Sequence, residues 1–168
     1  MASLASIAPE LRNNIAMLLL QHDGIIMVTP LLREPAFLSV NSTIRSEYRS
    51  MWYQINTFRI TVSDCNATLL EAFTKQIVRF DFHANIKFQM HVDGRSSWQN
   101  LMRWVGSKYA SYSWATYESG GGDAELHDAI SAVLEFGEVN EETPWLTREL
   151  GFNCIRRAIG SYQPGWLQ

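Results

Sequence analysis

Two short runs with alternating side chains place the strongest constraint on the fold of this chain. In "TFRITV" (57–62) and "NIKFQMHV" (85–92), apolar and polar residues alternate, which is the pattern of half-buried β-strands. Between them lies "NATLLEAFTKQIVRF" (66–80), whose apolar residues recur at helical spacing behind Asn66, a residue type that favours helix starts. Strands separated by an amphipathic helix predict an α+β fold.

The remainder of the chain predicts mostly helices. Helical spacing recurs in 6–24, 31–56, 96–110, 123–137 and 143–162, whereas "GIIMVTP" (24–30) reads as a third short strand. Within 31–56, Pro35 starts a short piece and Asn41 or Ser42 can cap the next helix. The stretch 111–123 is irregular and contains three consecutive glycines, which predicts a flexible surface loop. No internal repeat is apparent. We therefore expect a helix-dominated single α+β domain with two or three short strands.

Length and charge exclude several function classes. The 168 residues fit one domain, and a net charge of −3 provides no general footprint for nucleic acid or an anionic membrane. Cys65 and Cys154 match neither a disulfide framework nor a zinc motif, so both are expected to be buried structural thiols. With no secretory leader and no apolar run long enough to span a bilayer, we expect an intracellular protein, cytoplasmic or nuclear.

The first predicted helix, "SIAPELRNNIAMLLLQHDG" (6–24), has recognisable start and stop signals. Proline suits the first helical turn, an acidic residue there is favoured by the helix dipole, and Asp-Gly ends the unit. Leu11, Ile15, Leu18 and Leu19 form one apolar stripe. That stripe has two interpretations: it feeds the protein's own core, or it contacts another protein.

Two blocks of the sequence resemble a known family. "IAPELRNNIAMLLL" followed by "PAFLSVNSTIRSEYRSMWYQINTFRI" is similar to the N-terminal signature of small filamentous-fungal proteins described as F-box-like. That signature runs leucine-proline-x-glutamate-leucine-arginine, then an Ile/Leu helix, then "PALL-V-N-IR-E" and an aromatic pair before "NTF"; here Ala8 replaces its first proline. The likeness covers about residues 7 to 60. It divides the chain into an F-box-like segment, 1–60, and an α+β remainder, 61–168, packed with it as one unit.

The resemblance implies an adaptor-type protein-interaction module with no cofactor and no catalytic residue. Its partner would be a Skp-family protein that accepts the first helix in an apolar groove. The positions that correspond to that helix are Ile7, Pro9, Glu10, Leu11, Ile15 and Leu19. The positions that correspond to the second half of the F-box pattern and to its aromatic end are Leu38, Val40, Ile44, Arg45, Trp52, Tyr53 and Phe58.

A cluster of aromatic residues supports a different interpretation. The segment "SSWQNLMRWVGSKYASYSWATY" (96–117) mixes aromatic side chains with two cations, a composition that stacks on ligands or partners. Trp98 and Met102 are expected in the core. The residues expected on a contact surface or in a ligand pocket are Trp104, Tyr112, Trp114 and Tyr117.

Candidate catalytic groups are few. His83 and His91 with Asp81 supply acid–base or metal-binding types, but their spacing matches no known ligand set. His127, Asp128 and Ser131 have the residue types of a hydrolytic triad without a nucleophile elbow, and "ESGGGD" lacks the lysine of a phosphate loop. A small-molecule enzyme or ligand binder, and a self-associating effector-like homodimer, remain the alternatives to the adaptor hypothesis.

Overall fold

Except for one strand that the sequence did not predict, the helices and strands follow one another along the chain in the predicted order. The computed structural model describes residues 7–79, 86–107 and 117–167, with only the backbone for 117–122. The helices are α1 (Pro9–Leu20), α2 (Ser42–Ile55), α3 (Thr68–Arg79), α4 (Trp98–Val105), α5 (Ala124–Val139) and α6 (Trp145–Tyr162), with short 3₁₀ helices at Ala36–Ser39 and Pro164–Leu167. The strands are β1 (Ile25–Met27), β2 (Thr57–Ser63), β3 (Lys87–Asp93) and β4 (Tyr117–Gly122).

The four described strands form one parallel sheet in the order β1-β2-β3-β4. Phe58 of β2 lies opposite Phe88 of β3, which in turn lies opposite Tyr117 of β4. The described parts of β2, β3 and β4 begin at residues 57, 87 and 117, so a strand recurs every 30 residues. The sequence shows no repeat because only the strand–helix unit recurs, not its residues. The chain is a helix-dominated α+β single domain, as predicted. Strand β2 spans the boundary at residues 60 and 61 between the F-box-like segment and the remainder.

The fourth strand is a correction to the sequence analysis. The glycines at 120–122 predicted a flexible loop, yet 117–122 pairs with β3. The pairing is irregular between Met90 and Val92, where the register shifts. Glycine is disfavoured in strands on propensity alone, so the tertiary contact with β3 overrides the local preference.

One face of the sheet carries the core. Phe58, Ile60 and Val62 on β2, like Phe88, Met90 and Val92 on β3, are buried. Helices α2 and α3 pack on this face through aromatic rings: Phe58 lies 5.2 Å from Trp52 and 5.4 Å from Phe73, centroid to centroid. Such ring pairs add to the free energy gained by burial, by about 0.5–1.5 kcal/mol each.

Polar side chains fix the starts of four helices. Asn41 accepts a hydrogen bond from the Ile44 amide (2.8 Å) at α2, and Asp123 accepts one from the Leu126 amide (3.0 Å) at α5. Ser97 caps α4, and Asn66 accepts from the Thr68 amide (3.1 Å) at the start of α3. These caps satisfy amides that have no partner inside the helix, so the predicted starts are confirmed within two residues.

The C-terminal segment packs back onto the body of the domain. Trp166 is buried edge-on against Trp98, with ring centroids 6.2 Å apart, and its indole N–H donates to Gln163 Oε1 (2.8 Å). Arg156 Nε donates to the Trp166 carbonyl oxygen (2.7 Å) and its guanidinium lies over the Trp98 ring. The segment 164–167 therefore closes one end of the hydrophobic core.

Candidate protein-interaction site

Helix α1 turns three of its four leucines outward. Leu11, Leu18 and Leu19 expose 58%, 75% and 55% of their surface, and Ile15 between them is half-buried. Successive positions are four, three and one residues apart, which at 3.6 residues per turn places all four within about 100° of one another around the helix axis. The apolar stripe of the sequence analysis is thus a solvent-facing surface, which we call the α1 outer face (Leu11, Ile15, Leu18, Leu19).

The opposite side of α1 packs on α2. Ala16 and Leu20 are buried there, and Arg12 bridges to Glu47 with its guanidinium 3.1 Å from a carboxylate oxygen. A second polar tie is the Tyr48 hydroxyl, which donates to Asn13 Oδ1 (3.1 Å). The helix therefore carries two apolar strips, of which the smaller one anchors it.

Asn56 fixes the ends of α1 and α2 together. It is buried, its side-chain amide donates to the carbonyl oxygens of Leu20 (2.9 Å) and Trp52 (2.8 Å), and its Oδ1 accepts from the His22 amide (2.7 Å). Sequence reasoning gave this residue no role. The sequence signal for this role is a polar residue between the end of an apolar helix and a β-strand, as in "QINTFRI". A buried amide at such a position needs hydrogen-bond partners.

The remaining predicted partner-binding residues lie at the start of α1. Pro9 is the first helical residue and Glu10 lies in the first turn, and both are exposed. Ile7 is half-buried ahead of them. Ala8 caps the helix without a side-chain hydrogen bond. The acidic residue next to unpaired amides is favourable for the helix dipole, so this end of α1 is polar while the α1 outer face is apolar.

Of the four residues predicted for an aromatic contact surface, the structure describes the side chain of Trp104, and there it corrects the prediction. Trp104 is 1% exposed and belongs to the core rather than to a surface. The helical spacing of α4 was visible in the sequence, but which of its faces is buried was not. Tyr112 and Trp114 lie outside the described residues, and so does the side chain of Tyr117, whose backbone starts β4.

The candidate catalytic groups do not assemble into a site in the described part of the chain. The Ser131 hydroxyl donates to the His127 carbonyl oxygen (2.9 Å) in a bond within α5, while His127 Nδ1 lies 3.6 Å from the exposed Asp128 carboxylate. Asp81 and His83 lie outside the described residues, whereas His91 is half-buried on β3. In the ranges that are described, no three His, Cys, Asp or Glu side chains come together as metal ligands.

The two thiols differ in environment. Cys65 is buried, as predicted, and desolvation, followed by the charge of Asp64, raises its pKa to about 11. A thiol with so high a pKa is a poor nucleophile near neutral pH. Cys154 is exposed on α6, which corrects the prediction of a buried residue.

A cavity of about 180 Å³ lies between the 28–34 loop, α2 and α3. Its polar groups are already joined: Glu34 pairs with Arg49 (2.6 Å) and lies 3.3 Å from the Tyr53 hydroxyl, which accepts from Gln76 Nε2 (2.8 Å). Burial, helped by the Glu34 charge, raises the pKa of Tyr53, so this phenol stays neutral. The cavity is distant in sequence from the predicted 98–117 aromatic pocket.

Comparison with protein-family models, with curated proteins and with solved structures found no match. Within the described ranges, the helices are too short or too polar to cross a bilayer. The function must therefore be argued from the geometry of this chain.

Proposed function

We propose that this protein is an F-box-like protein-interaction module that places the α1 outer face in an apolar groove of a Skp-family adaptor. The observation that carries the proposal is the outward orientation of Leu11, Leu18 and Leu19. Large apolar patches on a monomer commonly mark interaction sites. Burying one leucine side chain is worth about 1.5–3 kcal/mol.

The spacing of the α1 outer face fits helix-in-groove recognition. This mode uses anchors at i, i+4 and i+7 or i+8, and Leu11, Ile15, Leu18 and Leu19 occupy those positions. The resemblance of residues 7–60 to F-box-like proteins points to the same helix. Pro9 and Glu10 lie at the end of the face and contribute a fixed turn and a charge to the rim of the contact.

The helix is also rigidly held, which favours tight binding. The hydrogen bonds of Asn56 fix its C-terminal end, and the Arg12–Glu47 pair and the Tyr48–Asn13 bond fix its middle. A pre-organised helix loses little conformational entropy on association. These ties leave the outer face free to enter a partner without any rearrangement of the domain.

The small-molecule alternative has less support. Glu34 and Tyr53, the polar groups of the 180 Å³ cavity, are satisfied by Arg49 and Gln76. A ligand would have to displace those partners, at the full cost of leaving buried polar groups unpaired. The adaptor contact requires no such displacement.

Co-elution with a fungal Skp-family adaptor on size exclusion tests the proposal. The variant Leu11→Asp/Leu18→Asp places charges on exposed positions and is expected to stay folded by circular dichroism while losing the complex. The matched control is Leu146→Asp/Leu150→Asp, because these leucines of α6 are 74% and 65% exposed on another helix. Wild-type protein that does not co-elute, or a control that loses binding equally, would contradict the proposal.

A further inference from the structure

The sheet face opposite the core carries polar, partly exposed side chains on β2 and β3. In the register of the sheet, the side chains on this face form cross-strand rows over β1, β2 and β3. Those on β2 are half-buried, whereas β3 contributes both half-buried and exposed members. We call it the open sheet face; its polar members are Thr57, Arg59, Thr61, Lys87, Gln89 and His91.

Such a face is unusual for a parallel sheet. Parallel strands are normally buried on both sides and read as continuous apolar runs. Here "TFRITV" and "KFQMHV" alternate strictly, and the packed aromatic rings of α2 and α3 lie on the Phe58 and Phe88 side. On β1 the same face carries two exposed apolar residues, Ile25 and Met27, in register with Thr57 and Arg59. Because the β2 and β3 side chains of the face are polar, that part of it is suited to contact with water or a polar partner rather than with another helix layer.

Arg59 gives this face a directed positive charge. Its Nε and Nη2 both donate to Gln89 Oε1, at 3.2 and 2.7 Å, so a neutral amide orients the guanidinium without neutralising it. Lys87, on the neighbouring strand, is exposed. No carboxylate among the side chains that the structure describes pairs with either cation. This local charge is opposite in sign to the net charge of −3 for the whole chain.

We propose that the open sheet face binds an extended acidic segment of a partner protein, with carboxylates on Arg59 and Lys87. A guanidinium held in place by Gln89 is prepared for charge-assisted hydrogen bonds to a carboxylate. The hydroxyls of Thr57 and Thr61 supply further hydrogen-bonding groups along β2. The proposal does not rest on the adaptor contact of α1, because a different surface carries it.

The spacing of the cations fits a strand-like ligand. Thr57 is the direct cross-strand neighbour of Lys87, so Arg59, two residues along, is its diagonal neighbour. With strands about 4.8 Å apart and a rise of about 3.3 Å per residue, the Cα atoms of Lys87 and Arg59 lie about 8 Å apart. Alternate side chains of an extended peptide are about 7 Å apart. Glutamates at every second position therefore meet both cations at once.

An acidic peptide fits better than nucleic acid. Nucleic-acid surfaces usually neutralise many phosphates with a broad basic patch. The open sheet face presents two cations, of which Gln89 orients Arg59, and an acidic residue, Asp93, at the carboxyl end of β3. The distance between the two cations is close to the distance between alternate side chains of an extended peptide, so the pair matches two carboxylates of such a peptide.

Fluorescence anisotropy of the full chain with a labelled peptide of alternating Glu and Thr, eight residues long, tests the proposal. We expect saturable binding that weakens with added salt, and none with the matched Gln–Thr peptide. Arg59→Gln is expected to weaken binding at least about tenfold, since a charge-assisted bond is lost. Lys87→Gln is a second variant at an exposed position, and it is expected to weaken binding about threefold.

Two control variants complete the experiment. Lys75→Gln removes an exposed cation of α3 and is expected to leave the affinity unchanged. Glu118→Gln removes a carboxylate whose backbone lies opposite Gln89, and it is expected to keep or strengthen binding. Absence of wild-type binding, equal affinity for the Gln–Thr peptide, or preference for a single-stranded oligonucleotide of equal length would overturn the proposal. So would unchanged binding by both Arg59→Gln and Lys87→Gln, or a loss in either control.

Discussion

The side-chain amide of Asn56 donates to the carbonyl oxygen of Leu20 across 2.9 Å, joining the last residue of α1 to the residue that follows α2. The same amide donates to Trp52, and both contacts are buried. One residue thus sets how α1 lies on the domain, and with it the direction in which the α1 outer face points.

Replacing Asn56 with alanine is expected to lower the free energy of unfolding by about 2–4 kcal/mol. The loss combines three hydrogen bonds with the cost of leaving buried carbonyl groups without this partner. Urea unfolding followed by circular dichroism measures the change. Asn14→Ala, at an exposed position of α1, is the control and is expected to stay within about 0.5 kcal/mol of wild type. Equal stabilities for the two variants would contradict the role of Asn56.

Gly94→Ala is expected to destabilise the turn after β3. Gly94 has φ of +85°, and an added Cβ would lie 2.5 Å from Asp64 Oδ1 and 2.9 Å from the Asp64 amide nitrogen. Strain and contact together predict a loss of about 1–3 kcal/mol. Gly24→Ala is the matched control, since its nearest contact would be 3.9 Å away. Thermal unfolding midpoints distinguish them, and an unchanged midpoint for Gly94→Ala would rule out this strain.

Trp104→Ala is expected to cost about 3–5 kcal/mol, because removing a buried indole leaves a cavity. Trp145, half-exposed at the start of α6 and packed against Phe152 and Arg148, provides the comparison. Trp145→Ala is expected to cost only about 1 kcal/mol, as one ring contact and one cation–π contact are lost. Chemical denaturation of both variants measures the difference. A larger loss of unfolding free energy for Trp145→Ala than for Trp104→Ala would contradict the placement of Trp104 in the core.

Alkaline pH is expected to weaken the fold through Cys65. Burial raises the pKa of its thiol from an ordinary 9.0 to about 11, so the unfolded chain loses this proton first. Its contribution is full below pH 9 and is lost between about 9 and 11.

The free energy of unfolding of the wild type should therefore fall about 1 kcal/mol further than that of Cys65→Ala between pH 8 and pH 10. Urea titrations at each pH provide the values. The comparison within each protein removes the constant cost of the smaller side chain. Parallel pH profiles for the two proteins would contradict a raised pKa at Cys65.

Local patterns predicted most elements because each side-chain period belongs to one kind of structure. The alternation in 57–62 and 85–92 identified β2 and β3, and Asn41 marked the start of α2. β4 was missed since glycines carry no pattern. The parallel pairing and its 30-residue recurrence depend on contacts between distant segments, which no local period encodes.

The candidate site was predictable as a helix but not as a surface. Leu11, Ile15, Leu18 and Leu19 have the spacing of a core stripe and of a docking stripe alike. Ala16 and Leu20, on the opposite side, provide less apolar surface yet form the anchor. The choice between the two sides is made by α2 and Asn56, which lie more than 20 residues away in sequence.

Isothermal titration of a fungal Skp-family adaptor into the wild type and into Leu11→Asp/Leu18→Asp tests the central claim most directly. Loss of two buried leucine contacts, at about 1.5–3 kcal/mol each, predicts a dissociation constant at least about 100-fold higher in the variant. The Leu146→Asp/Leu150→Asp control is expected to bind within about twofold of wild type. Equal affinity of a folded Leu11→Asp/Leu18→Asp variant, or no heat from the wild type, would contradict the assignment of the α1 outer face.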